Sequence, residues 1–135
     1  MSQIPTIPEA ALSISRLDLA AIQQGVPVSA LEEFVHESGI DMKSLFDVVI
    51  SSRTLKRRRQ TQKPLNLNES DRLVWIAGTF VQAVQALGDT EKASHWLMGT
   101  SAHFEGRTPL SLLRTSIGNR AVKELLRRID QGAVA

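Results

Sequence analysis

Apolar residues recur along this chain at intervals of three and four, which is the spacing of one face of an α-helix. The longest such stripe runs from Leu73 to Leu87 and stops at Gly88, a residue typical of helix ends. Apolar and polar residues do not alternate over any long stretch, so strands are not indicated. The sequence therefore predicts an all-α protein.

Helix-capping residues divide this pattern into successive short helices. Ser, Thr, Asp and Asn side chains accept hydrogen bonds from the free N–H groups of a first turn. The predicted helix starts are Ser13 or Ser15, Pro27 with Ser29, Asp41, Ser51, Asn68, Asp89, Thr108 with Pro109, and Ser116. Pro64 ends the fourth helix, because proline cannot continue the hydrogen-bond ladder. Residues 61–67 are then a linker between two predicted helical domains, residues 1–63 and residues 64–135.

Residues 41–60 have the pattern of a helix-turn-helix motif. A support helix begins at Asp41 and buries its apolar residues up to Val49, Ile50 lies in the turn, and a recognition helix turns Leu55 inward. The alternative interpretation is a basic surface helix of a bundle.

The predicted recognition helix carries the candidate DNA-binding residues. With Leu55 facing inward, helical geometry points Ser52, Arg53 and Lys56 outward at the start of the helix, where base edges are read. The basic residues that follow are expected to contact phosphate. The full predicted set is Ser52, Arg53, Thr54, Lys56, Arg57, Arg58, Arg59 and Lys63.

The charge distribution supports an acidic polymer as partner. Residues 1–50 hold two basic and seven acidic residues, whereas residues 51–63 hold six basic residues and no acidic one. Residues 64–135 hold eight basic and seven acidic residues, so the net charge of +2 conceals one strongly positive window. Such a window on a nearly neutral protein is typical of nucleic-acid binding.

Little in the sequence indicates catalysis or a metal site. The chain has no cysteine, and its histidines are His36, His95 and His103. His95 and His103 are separated by the helix-ending Gly99, whereas zinc ligands on one helix lie about three to five residues apart. We expect no catalytic residue, metal or cofactor, and therefore no enzyme.

Hydropathy argues against a membrane protein. No apolar run approaches the roughly 18 residues of a membrane-spanning helix. Residues 1–10 lack the basic start of a secretory signal. A cytoplasmic protein with no membrane contact is the expectation.

Trp75 lies one position off the apolar stripe of its helix. Together with Val74 and Val81 it widens the apolar face beyond what one neighbouring helix covers. Tryptophan is enriched at protein interfaces. These three residues are the candidate dimer interface, the alternative being a tryptophan that completes the core.

The second half resembles the toxin-binding domain of the Xre–MbcA–ParS antitoxins. The resemblance covers about residues 66–135 and rests on three segments in the family's order and spacing. They are Asn68-Glu69-Ser70-Asp71-Arg72-Leu73, the Trp96-Leu97 pair, and Gly106-Arg107-Thr108-Pro109-Leu110 with the residues that follow it. Arg53-Thr54-Leu55 with Arg57-Arg58 is similar to the recognition helix of the family's Xre-like DNA-binding half. The loop 98–105 departs most from the family's pattern.

This resemblance implies an Xre-like helix-turn-helix bundle followed by a small helical toxin-binding domain. It implies an antitoxin that blocks the active site of a RES-domain, NAD-degrading toxin and represses its own operon by binding operator DNA. Because repressors of this shape read two half-sites through symmetry, we expect a homodimer. The expected toxin-binding residues are Arg107, Arg114, Arg127, Arg128, Gly132, Val134 and Ala135. Related toxins ADP-ribosylate a target instead, and the sequence leaves that choice open.

Two other functions remain compatible with the sequence. One is a helix-turn-helix transcription regulator that responds to a small ligand and has no toxin partner. The other is a helical adaptor that binds no DNA.

Overall fold

The computed structural model describes residues 4–132, and this part of the chain is helical without strands. Its elements are α1 (Glu9–Ser15), α2 (Leu19–Gln24), α3 (Val28–Ser38), α4 (Met42–Leu45), α5 (Ser52–Thr61), α6 (Leu67–Leu87), α7 (Thr90–Met98), a 3₁₀ turn (Ala102–Phe104), α8 (Pro109–Leu112) and α9 (Ser116–Asp130). The all-α prediction is confirmed.

Helix α6 is the element on which the others pack. Its predicted stripe is buried from Leu73 to Val84, and the helix packs most extensively against α1 and α9. Phe80 meets Phe34 of α3 edge to face, with ring centroids 5.7 Å apart. One hydrophobic core therefore contains residues from both sides of the α5–α6 connection. The domain boundary at residues 63/64 stays a prediction.

The helix predicted to start at Ser13 or Ser15 starts later, as α2, and the helix before it, α1, was not predicted. Residues 9–15 form α1, which places Ser13 and Ser15 inside a helix rather than at its start. The cap of the next helix is Asp18, whose carboxylate accepts a hydrogen bond from the Ala21 N–H at 2.9 Å. The alanines and isoleucine that α1 buries already have helical spacing, which was the missed signal.

The support helix α4 is shorter than predicted. It starts at Asp41 as expected, and the hydrogen bonds from Ser44 lower the pKa of the Asp41 carboxyl. It ends at Leu45, because Phe46 is extended and Asp47 has a left-handed φ of 69°. Val48, Val49 and Ile50 are still buried, but in a turn whose Val48 carbonyl accepts a hydrogen bond from Arg72 of α6.

Two further caps lie a residue or two from their predicted places. Asn66, not Asn68, caps α6, and it forms a reciprocal capping box with Glu69. Thr115, not Ser116, caps α9 by accepting a hydrogen bond from the Gly118 N–H. The predicted caps Ser51, Asp89 and Thr108 are confirmed.

Candidate nucleic-acid interface and partner-binding surfaces

The recognition helix α5 presents a polar, basic face to solvent. Its start is fixed by Ser51, whose hydroxyl accepts a hydrogen bond from the Thr54 N–H at 3.1 Å. Leu55 is 1% exposed and anchors the opposite face. The side chains of Ser52, Arg53, Lys56 and Arg57 are exposed, whereas Thr54 is half-buried. This is the orientation expected of a helix that reads a major groove.

Arg58 faces the protein rather than the solvent. Its guanidinium donates to both carboxylate oxygens of Glu69, at 3.1 and 3.3 Å, and these side chains are only 16% and 11% exposed. Glu69 simultaneously accepts the Asn66 N–H at 2.8 Å. Arg58 therefore ties the recognition helix to the first turn of α6.

Arg59 is the second paired cation of the basic run. Its guanidinium lies 3.1 Å from the Glu32 carboxylate of α3, and both side chains are about half exposed. Lys63 is exposed beyond the left-handed Gln62 that ends α5. Sequence reasoning missed both acidic partners, because Glu32 and Glu69 are distant in sequence from the arginines that they contact, and no local spacing indicates these pairs.

The predicted toxin-binding arginines fall into two groups. Arg107 and Arg114 are exposed near α8 and line one cavity. Arg127 and Arg128 are exposed on the last turns of α9. Gly132 is exposed just beyond them with φ of 74°. Val134 and Ala135 lie outside the described residues.

Arg127 has an acidic partner on its own helix. Its guanidinium donates to the Glu124 carboxylate and to the Gln131 side chain. The hydrogen bond between Arg127 and Glu124 lowers the pKa of the Glu124 carboxyl and raises the pKa of Arg127. Arg128, in contrast, forms no ion pair within residues 4–132.

The candidate dimer residues lie along a second, half-buried face of α6. Val74, Trp75 and Val81 are each partly exposed. Gly78 lies between them, and a Cβ atom added there would meet nothing within 4 Å. The Arg72 guanidinium lies 5.7 Å from the Trp75 ring centroid, a cation–π contact that orients the indole.

The described residues provide no group of three or more His, Asp or Glu side chains arranged to hold a metal ion. All three histidines are exposed. Within residues 4–132, no helix is both long enough and apolar enough to span a membrane.

Two antitoxin family models match successive parts of this chain. Residues 18–78 match the antitoxin Xre-like helix-turn-helix domain, and residues 82–132 match the antitoxin Xre/MbcA/ParS C-terminal toxin-binding domain. The chain therefore belongs to the Xre/MbcA/ParS antitoxin family. The predicted helix-turn-helix bundle followed by a toxin-binding domain is confirmed.

Two curated relatives support this assignment. A protein of Pseudomonas putida named Antitoxin Xre is 38% identical over 86 residues, which are 64% of this chain and 54% of that protein. A second Antitoxin Xre, from Photorhabdus laumondii, is 26% identical over 118 residues, or 86% of this chain and 80% of that protein. The match thus spans about half the length of the Pseudomonas putida relative.

Proposed function

We propose that this chain is the non-enzymatic antitoxin of a type II toxin–antitoxin system. It blocks the active site of a RES-domain, NAD-degrading toxin and represses its own operon by binding DNA. The observation that carries this proposal is the combination of an exposed basic recognition helix with a segment matching a toxin-binding domain in one chain.

DNA recognition is assigned to the exposed face of α5. Ser52, Arg53 and Lys56 reach base edges, with Thr54 beside them, since they lie at the start of the helix. Arg57, Arg59 and Lys63 contact phosphate. Arg58 acts indirectly, because its guanidinium is held by Glu69.

Toxin neutralisation is assigned to the end of α9 and the segment that follows. Arg127 and Arg128 pair with acidic residues around the toxin's cleft, and Gly132, Val134 and Ala135 enter it. The side chains of residues 132–135 are uncharged, so a narrow cleft can bury them without leaving a charged side chain unpaired.

A homodimer joined along α6 completes the proposal. Helix-turn-helix repressors read two half-sites through two-fold symmetry. Val74, Trp75 and Val81 supply the apolar contact. Gly78 lets a second copy of the helix approach closely between them.

Growth rescue tests the neutralisation role. The chain is co-expressed with the product of the adjoining reading frame while growth and cellular NAD are measured. Removing residues 131–135 together with Arg127→Ala and Arg128→Ala should abolish rescue and leave operator binding intact. This trimming keeps Leu125 and Leu126, which are buried, so the variant should fold. Full rescue by this variant would show that the end of the chain does not block the toxin.

Operator binding tests the DNA role separately. Arg53→Ala and Lys56→Ala should each weaken binding to the promoter fragment by about 1–3 kcal/mol, the value typical of a base contact. Lys92→Ala on α7 is the matched control, because Lys92 is exposed and far along the chain from α5. No shift of any upstream fragment by the intact chain would favour the adaptor alternative. Thermal stabilisation by a metabolite, with no effect of a toxin, would favour the ligand-responsive regulator.

A further inference from the structure

A cavity lies between the helix-turn-helix turn and the start of α9. It is open to solvent and has a volume of about 430 Å³, and its polar lining consists of Asp47, Arg72, Arg107, Ser111, Arg114 and Thr115. Three arginines thus face one cavity with a single carboxylate. None of the three is within ion-pair distance of Asp47 in the described structure.

The three guanidinium groups retain most of their hydrogen-bonding capacity. Arg114 is exposed and forms no ion pair within residues 4–132. The Arg107 guanidinium donates a hydrogen bond to the Phe104 carbonyl and lies 3.8 Å from the Glu105 carboxylate. The side chains of Arg107 and Glu105 are both largely exposed. Arg72 uses one N–H group on the Val48 carbonyl. Each guanidinium has five N–H donors, so donors remain for a ligand.

We infer that this cavity binds an Asp or Glu side chain of the toxin, an inference that rests on the proposed function. Arginine forks bind carboxylates through paired, charge-assisted hydrogen bonds. Five of the seven lining residues belong to the segment that matches the toxin-binding domain. The cavity is also larger than one inorganic anion requires, and it includes the partly buried, apolar Leu112. This lining suits a charged side chain together with its aliphatic stem.

The cavity is a second contact region, distinct from the end of α9. It lies at the N-terminal end of this 15-residue helix, and the proposed blocking segment follows the C-terminal end. At a rise of 1.5 Å per residue, the two regions are about 20 Å apart. A standard interface buries about 800 Å² per partner, a patch about 30 Å across, so one toxin can cover both.

Titration calorimetry with the purified toxin tests the inference. The double variant Arg107→Gln/Arg114→Gln should bind toxin about 10- to 100-fold more weakly than the wild type, since charge-assisted contacts of this kind are lost. Arg114→Lys should retain only part of the wild-type affinity, because an ammonium group keeps the charge but lacks the paired N–H donors of the guanidinium. Arg16→Gln, an exposed arginine on the N-terminal side of the molecule, is the control and should bind normally.

The outcomes separate this inference from the proposed function. If the chain lacking residues 131–135 binds weakly while the double variant binds like the wild type, the cavity has no role in toxin binding and the proposed function stands. If the double variant instead loses operator affinity and keeps toxin affinity, the cavity is a phosphate site, and the inference is wrong. If the intact chain does not bind the toxin, both proposals fail together. Because the two regions are about 20 Å apart, their effects on the binding free energy should add.

Discussion

Neighbouring arginines in the basic run have different partners. Arg57 is exposed, Arg58 is held by Glu69, and Arg59 lies beside Glu32. The sequence could predict that this run begins a recognition helix, since the cap Ser51 and the buried Leu55 are local signals. It could not predict which cation is held inside, because the Arg58–Glu69 pair forms only when α5 packs beside the start of α6.

Substitution of Arg58 should therefore affect stability as well as DNA binding. Arg58→Gln leaves the Glu69 carboxylate mostly buried without its cation, and we expect the free energy of unfolding to fall by about 1–2 kcal/mol. Arg57→Gln, on the exposed face, should change it by less than about 0.5 kcal/mol. Urea denaturation of both variants measures the difference. Equal stabilities would mean that the Arg58–Glu69 pair contributes nothing in solution.

Gly118 permits a close backbone contact between α8 and α9. A Cβ atom at this position would lie 1.9 Å from the Leu112 carbonyl oxygen. Gly118→Ala should therefore destabilise the protein by about 1–3 kcal/mol, the usual cost of overpacking, despite alanine's higher helix propensity. Thermal unfolding measures this change. An unchanged or raised Tm would show that α8 and α9 can move apart without a loss of stability.

At the level of elements, the sequence predicted helices best where a stripe of apolar residues ends at a glycine. The stripe and the glycine stop placed α6 and α7 closely, because many residues carry the same signal. The support helix was predicted too long, since the apolar run 48–50 is buried whether it is helical or a turn. Its end depends on Phe46 and on the left-handed Asp47, together with the Arg72 contact from α6.

Substitution of Gly78 tests whether this face of α6 is a dimer interface or is simply exposed to solvent. In an isolated chain, Gly78→Ala should raise stability by about 0.5–1 kcal/mol, because the added methyl meets open space and alanine favours a helix. In a dimer whose helices cross there, the same methyl should weaken association. Sedimentation and Tm measured over a range of protein concentrations separate the two effects. A stabilised variant with unchanged self-association would place the dimer contact elsewhere.

On the scale of the whole molecule, α6 joins the segment that matches the helix-turn-helix domain to the segment that matches the toxin-binding domain. The match to the helix-turn-helix domain includes the first part of this helix, and the match to the toxin-binding domain begins within its last part. The Val26 N–H also donates to the buried Ser70 hydroxyl of α6, at 2.9 Å. The resemblance predicted the order of the two domains, but the shared core depends on contacts between residues distant in sequence.

The salt dependence of operator binding reports how many cations reach phosphate. Each phosphate contact contributes about −0.9 to the slope of log K against log salt concentration. Arg57, Arg59 and Lys63 in each of two subunits predict a slope of about −5, whereas a free Arg58 would raise the magnitude to about 7. Arg57→Gln should reduce the magnitude by about 2 in the dimer. Arg58→Gln should leave the slope nearly unchanged although it weakens binding, because that guanidinium is held by Glu69 in the free protein. An equal reduction by both substitutions would mean that Arg58 leaves Glu69 when DNA binds.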